Sequence, residues 1–121
     1  MKIQIEIPDT FMVRNIQRSG FDYFVELRGL GVLTEKTRIT FSQEHNNPVD
    51  NNAVRVYAND IPIGYLLRED ALSINSMLPV LHFLQRDGRI QIDAFFVDLN
   101  EAKRTPDGRL YREIKVTIKK R

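Results

Sequence analysis

Asn46-Asn47-Pro48-Val49-Asp50-Asn51-Asn52-Ala53-Val54, followed by Ile63-Gly64-Tyr65-Leu66-Leu67-Arg68-Glu69, decides how the rest of the chain is read. Polar and turn-forming residues crowd between two strand-like runs. Asn and Asp side chains bond nearby backbone groups and so shape tight loops. The same amides and carboxylate can instead face outward as a recognition surface, and which role they take bears directly on function.

Outward from this loop, strand signals dominate. Ile3, Ile5 and Ile7 share one face, as do Phe21, Tyr23, Val25 and Leu27; period-two alternation marks a half-buried strand. Residues 8 to 20 carry few clear signals and read as a loop or short helical turn. Lys36 to Phe41 reads as the next strand, with Ile39 and Phe41 inward, and Ala53 to Tyr57 follows. Asn59-Asp60 is a turn, after which Ile61, Ile63 and Tyr65 alternate to complete a hairpin. From Arg68-Glu69-Asp70 the apolar positions Ala71, Leu72, Ile74, Met77, Leu78, Leu81 and Leu84 approximate helical spacing. Carboxylates early in this segment suit the positive end of a helix. Pro79 has no amide hydrogen and predicts two short helices rather than one, the second ending at Asp87-Gly88. Ile90, Ile92, Ala94 and Phe96 resume the β pattern, and Leu110 to Ile118 is a last strand beyond the turn Thr105-Pro106-Asp107-Gly108. The predicted architecture is mainly β with a short helical insertion (α+β), either a small antiparallel β-barrel or a rolled sheet.

The 121 residues suffice for one domain with a core of its own. No apolar run is long enough to cross a membrane, and the alternating start from Met1 to Ile7 has no signal-peptide block; a soluble cytoplasmic protein is expected. With no cysteine, disulfides and thiolate metal sites are excluded. Charge is uneven. Lys103 to Arg121 holds eight Lys or Arg against Asp107 and Glu113, a surplus of +6 in a chain of net +2, which leaves −4 elsewhere. A basic end can neutralise phosphates; Lys on edge strands also blocks unwanted strand pairing.

Enzymatic chemistry finds no support. There is no phosphate-cradling Walker motif, and Gly29-Leu30-Gly31 opens no helical pattern. His82 lies in the apolar run Leu81-His82-Phe83-Leu84 and reads as a packed helix histidine, and His45 beside Glu44 as a solvated loop residue. Two histidines are too few for a usual zinc site, and residues 46 to 52 lack the spaced carboxylates of a calcium loop. No catalysis, metal or cofactor is expected.

The order of elements resembles the HIRAN domain. The residues that carry the resemblance are Phe24-Val25-Glu26-Leu27-Arg28-Gly29, the run from Asn46 to Val56, and Ile63 to Glu69, within a similarity covering roughly residues 21 to 118. It implies an OB-like β-barrel for residues 21–121, with residues 1–20 an N-terminal strand and connecting segment packed on it. It also implies binding of single-stranded DNA at a free 3′-hydroxyl end. By the resemblance, Asn47 and Asp50 match polar groups that hold the terminal nucleotide. Arg28 matches a basic residue between strands, and Arg68 one at the start of the helix. The residue chemistry agrees: a carboxylate accepts a hydrogen bond from a hydroxyl and repels a phosphate, an amide both donates and accepts, and guanidinium groups grip phosphates. Each residue also has a structural reading, Asp50 and Asn52 as an Asx turn, Asn47 as the residue fixing the loop before Pro48, and Arg68 as a side chain snorkelling at a helix end. The chain departs from the pattern at Gly29-Leu30, where DNA-end binders carry aromatic residues. Stacking a base on a ring is worth about 1–3 kcal/mol; Tyr65 and Tyr111 are the candidates to replace it.

Two functions from different classes follow. One is a DNA-binding module that uses Arg28, Asn47, Asp50, Arg68, Tyr65 and Tyr111, whose partners are single-stranded DNA or DNA ends and a DNA-processing protein, in repair or replication-fork processing. The other is a protein-interaction adaptor in which the polar loop is structural.

Overall fold

The computed structural model describes residues 10–16, 29–31, 33–99 and 101–121. Its strands are β1 (Thr10–Ile16), β2 (Ile39–Glu44), β3 (Ala53–Ala58), β4 (Ile61–Leu66), β5 (Ile90–Phe96), β6 (Lys103–Arg104) and β7 (Leu110–Lys120). The helices α1 (Arg68–Asn75) and α2 (Leu78–Arg86) lie between β4 and β5. Every pairing is antiparallel, and the sheet runs β2-β3-β4-β1-β7-β5, with β6 on β7. The strands expected at residues 3–7 and 21–27 lie outside the described residues.

Residues 10–16 correct the sequence reading. They form neither loop nor helical turn but β1, at the heart of the sheet. The strand pairs with β7 along its whole length and with β4 through Asn15 and Ile16. The period-two signal fails there because its two faces are not cleanly apolar and polar. Val13 is buried, whereas Met12 on the other face is 46% exposed.

The expected OB-like barrel is not closed. Among the described residues no ladder joins the end strands β2 and β5. Side chains span that seam instead: the Arg38 guanidinium, just before β2, reaches Asp93 of β5 at 3.5 Å, and Phe41 and Ile92 line one small apolar cavity with α2 residues.

The two helices cover the inner face of the sheet. Ile74 of α1 and Leu78 of α2 join Val54, Val56, Ile114 and Val116 in the core, each at most 2% exposed. Burial of side chains of this size stabilises by roughly 1.5–3 kcal/mol apiece. Pro79 stands in the first turn of α2, where a missing amide hydrogen costs nothing, so the chain breaks at Ser76-Met77 and two helices form. The turn Asn59-Asp60 has φ of 49° and 66°, the left-handed pair that a two-residue hairpin requires and that Asn and Asp tolerate.

One irregularity decides which face Tyr65 occupies. Val56 faces Gly64 and Tyr57 faces Pro62, so Ile63 is an extra residue, a β-bulge. Ile63 turns into the core, and Tyr65 is thrown to the opposite face, across from Arg55. Simple alternation puts Ile61, Ile63 and Tyr65 on one face; the bulge is why they are not.

Candidate nucleic-acid interface

The β2–β3 connection is built by its own side chains. Asn47 Oδ1 accepts hydrogen bonds from the amides of Val49 (2.9 Å) and Asp50 (3.1 Å). Asp50 Oδ1 accepts from the Asn52 amide at 2.9 Å, and the Ala53 amide donates to the Asp50 carbonyl at 3.1 Å. Asn75, at the end of α1, donates to the Asn52 carbonyl at 2.8 Å and ties the loop to the helix. Asn47 and one oxygen of Asp50 therefore have the structural role, holding six residues of irregular backbone in one shape.

The other Asp50 oxygen faces a cation. Oδ2 lies 3.5 Å from Nε of Arg68, the first residue of α1, and the Arg68 side chain is 66% exposed. Asn47, Asp50, Tyr65 and Arg68 line one open groove of about 300 Å³, joined there by Arg109. Arg109 follows the Thr105–Gly108 turn, is 45% exposed, and is held by Asp107, with Nε–O distances of 3.1 and 3.0 Å. The groove thus sets two guanidinium groups near a carboxylate, one oxygen of which bonds the loop while the other lies beside Arg68.

Behind the groove lies Glu44. Its carboxylate accepts from Asn47 Nδ2 (3.1 Å), the Tyr65 hydroxyl (3.0 and 3.1 Å) and Arg55 Nη1 (3.3 Å). Burial pushes this carboxyl up, but the hydrogen bonds from Asn47, Tyr65 and Arg55 outweigh it and hold the group below the usual carboxylate range. The Arg55 guanidinium also lies over the Tyr65 ring, 5.2 Å from its centroid.

Helix α1 is fixed by β1. Arg14 donates to both oxygens of Asp70, from Nε at 2.8 Å and Nη2 at 3.0 Å, and its own amide bonds Oδ2 at 3.0 Å. The Leu67 amide donates to the Arg14 carbonyl at 3.2 Å. Hydrogen bonding to Asp70 holds the Arg14 guanidinium above its ordinary value, against the opposing effect of burial. This clamp sets where Arg68 begins its helix.

Of the residues singled out from sequence, Asn47, Asp50, Tyr65 and Arg68 come together. Tyr111 is not in the groove. It lies two strands from Tyr65, about 10 Å across the sheet, in the same cross-strand row through Ile16, with the Arg14 guanidinium 5.4 Å from its ring centroid. Arg28 lies outside the described residues, and Leu30, at the departure from the family pattern, is exposed. The basic C-terminal segment does not form one stripe. Arg112 is buried, donating to the Leu99 carbonyl at 3.0 Å, Lys103 pairs with Glu113, and Lys119 lies 3.9 Å from Asp93. Sequence reasoning missed Glu44, Arg109 and Arg14 as members or supports of the site. Only Arg109, directly after a strong turn signal, carried a local cue.

Comparison with known proteins bears on the family and the fold. The family model of the HIRAN domain matches residues 15–118. The chain belongs to the HIRAN family. HIRAN domains are nucleic-acid-binding modules. The fold is also similar to the crystal structure of the HIRAN domain of human HLTF, with a TM-score of 0.55 and 18% identity over 93% of this chain and 76% of that one. No curated relative matches the sequence. The HIRAN match begins at Asn15, inside β1, so the family's pattern takes in the end of the strand that the sequence reading left without structure.

Proposed function

We propose that this HIRAN domain binds single-stranded DNA, preferentially at a free 3′-hydroxyl end, in DNA repair or replication-fork processing beside a DNA-processing protein. The observation that carries the reading is the division of labour within Asp50: one oxygen is committed to the Asn52 amide, and the other lies 3.5 Å from the exposed Arg68, a residue that lines the same groove. A 3′-hydroxyl donates to that second oxygen. A 3′-phosphate brings a like charge to the same place and is repelled.

Arg68 and Arg109 take the phosphates that precede the terminal sugar, through forked hydrogen bonds. Asn47 acts mainly by shaping the loop, and Tyr65 supplies the wall against which the terminal sugar or base rests. Tyr111 is assigned to nucleotides upstream of the 3′ end, and Arg28, which lies outside the described residues, to a backbone phosphate. The variant Asp50→Asn tests this reading, because it keeps an oxygen for the Asn52 amide and removes the charge. Its preference for a 3′-hydroxyl strand over a 3′-phosphate strand is expected to fall toward unity while the fold is retained. An unchanged preference removes Asp50 from the site.

A further inference from the structure

Glu44 touches three separate parts of the groove's framework: the loop through Asn47, β4 through Tyr65 and β3 through Arg55. Its chemistry makes it more than a filler. An ionised carboxylate only accepts hydrogen bonds. The atom of Asn47 that faces it must therefore be the amide nitrogen, which directs Oδ1 toward the amides of Val49 and Asp50. Rotating the amide by half a turn sets oxygen against carboxylate and N–H against N–H. The same logic fixes the Tyr65 hydroxyl as a donor to Glu44, so its oxygen is left to accept from Arg55 Nη1 at 3.3 Å.

Resting on the 3′-end reading above, we infer that Glu44 is the positioning residue that sets end selectivity. It orients Asn47, Asn47 holds the Asp50 amide, and the Asp50 carboxylate is thereby aimed at the groove. Glu44 does not touch the DNA end in this scheme. It also lies on the wall of a neighbouring concavity that shares Asn47, Val49 and Tyr65 with the groove.

The test is Glu44→Gln, which keeps the shape and one acceptor but replaces the other with a donor. Binding of 3′-hydroxyl and 3′-phosphate strands is measured by fluorescence anisotropy alongside the thermal midpoint. The ratio of the two affinities is expected to drop at least threefold, chiefly through weaker binding of the hydroxyl strand. A fall of both affinities together, at constant ratio, means that Glu44 only stabilises the fold and overturns the inference. Failure of the wild-type chain to discriminate the strands refutes the end-recognition reading itself, a different outcome. Should Glu44→Gln not fold, NMR titration of the wild type serves instead. The Asn47 side-chain amide and the Val49 and Asp50 backbone amides are expected to shift together as Glu44 titrates, and independent behaviour overturns the inference.

Discussion

Replacing Arg68 and Arg109 together with glutamine removes the two exposed guanidinium groups that line the groove with Asn47 and Asp50. Each guanidinium that neutralises a phosphate on a single strand contributes about −0.7 to the slope of log affinity against log salt. Two such contacts give about −1.4. Between about 50 and about 200 mM salt, a fourfold change, they account for roughly a sevenfold loss of affinity, since four raised to the power 1.4 is about 7. The double variant should lose that share of the salt dependence, and each single variant half of it on the logarithmic scale, about 2.6-fold. Neither arginine is buried, so the fold should survive. Arg68 has a long 3.5 Å contact with Asp50, and Arg109 pairs with Asp107 on the surface, and exposed pairs contribute little to stability. The assay is anisotropy of a labelled single strand across this salt range, on the wild type, both single variants and the double. A double variant with the wild-type slope refutes the assignment of phosphate contacts to this groove, whatever its affinity at one salt concentration.

Other outcomes follow from the supports of the site. Asp70→Ala removes three hydrogen bonds from Arg14, two of them from its guanidinium, and should cost about 2 kcal/mol in urea denaturation, below the full sum of charge-assisted bonds because Arg14 is one-third exposed; a loss under about 0.5 kcal/mol contradicts the β1–α1 clamp. Glu44 titrates lower in the folded state than in the unfolded one. Its contribution is thus complete above the ordinary Glu range, near about pH 4.3, and is lost as pH falls through the lowered folded value. The stability gap between wild type and Glu44→Gln should therefore be constant near neutrality and close in acid, and a gap that widens on acidification has the wrong sign for this network.

Much of the fold was legible because its signals are local. Asn59-Asp60 and Thr105–Gly108 are turn chemistry, and β2, β3, β5 and β7 carry alternation that local inspection detects. The helical pair was legible for the same reason, with Ala71, Ile74, Leu78 and Leu81 buried on one side. What escaped was non-local. β1 hid because Met12 and Arg14 occupy a face that is partly solvated and partly covered by a charge clamp to Asp70, 56 residues away. Tyr65 was read on the wrong face because a bulge at Ile63 is a property of two strands together. Barrel closure depends on whether β2 and β5 meet, and no local pattern encodes that.

The site divides the same way. Asn47, Asp50 and Arg68 were found because their types and spacing announce a polar loop running into a helix. The sequence left open whether they build the loop or face a ligand, and the geometry shows the building role: Asn47 Oδ1 and Asp50 Oδ1 accept from the loop's own amides, while Asp50 Oδ2 lies 3.5 Å from Arg68. Arg109 comes from a hairpin far beyond the loop in sequence and joins Asn47 and Asp50 only in the folded groove. Glu44 carried no sequence signal of its own, yet it is the acceptor on which three other side chains converge.

The central claim is tested most directly by the affinity of the wild-type chain for one labelled single strand ending in a 3′-hydroxyl against the same strand ending in a 3′-phosphate, at low salt. The account predicts about tenfold tighter binding of the hydroxyl strand, the ratio expected of one charge-assisted hydrogen bond worth roughly 1.5 kcal/mol. Equal affinity for the two strands contradicts end recognition and leaves backbone contacts alone, and binding of neither contradicts the DNA-binding reading in favour of a protein-interaction module.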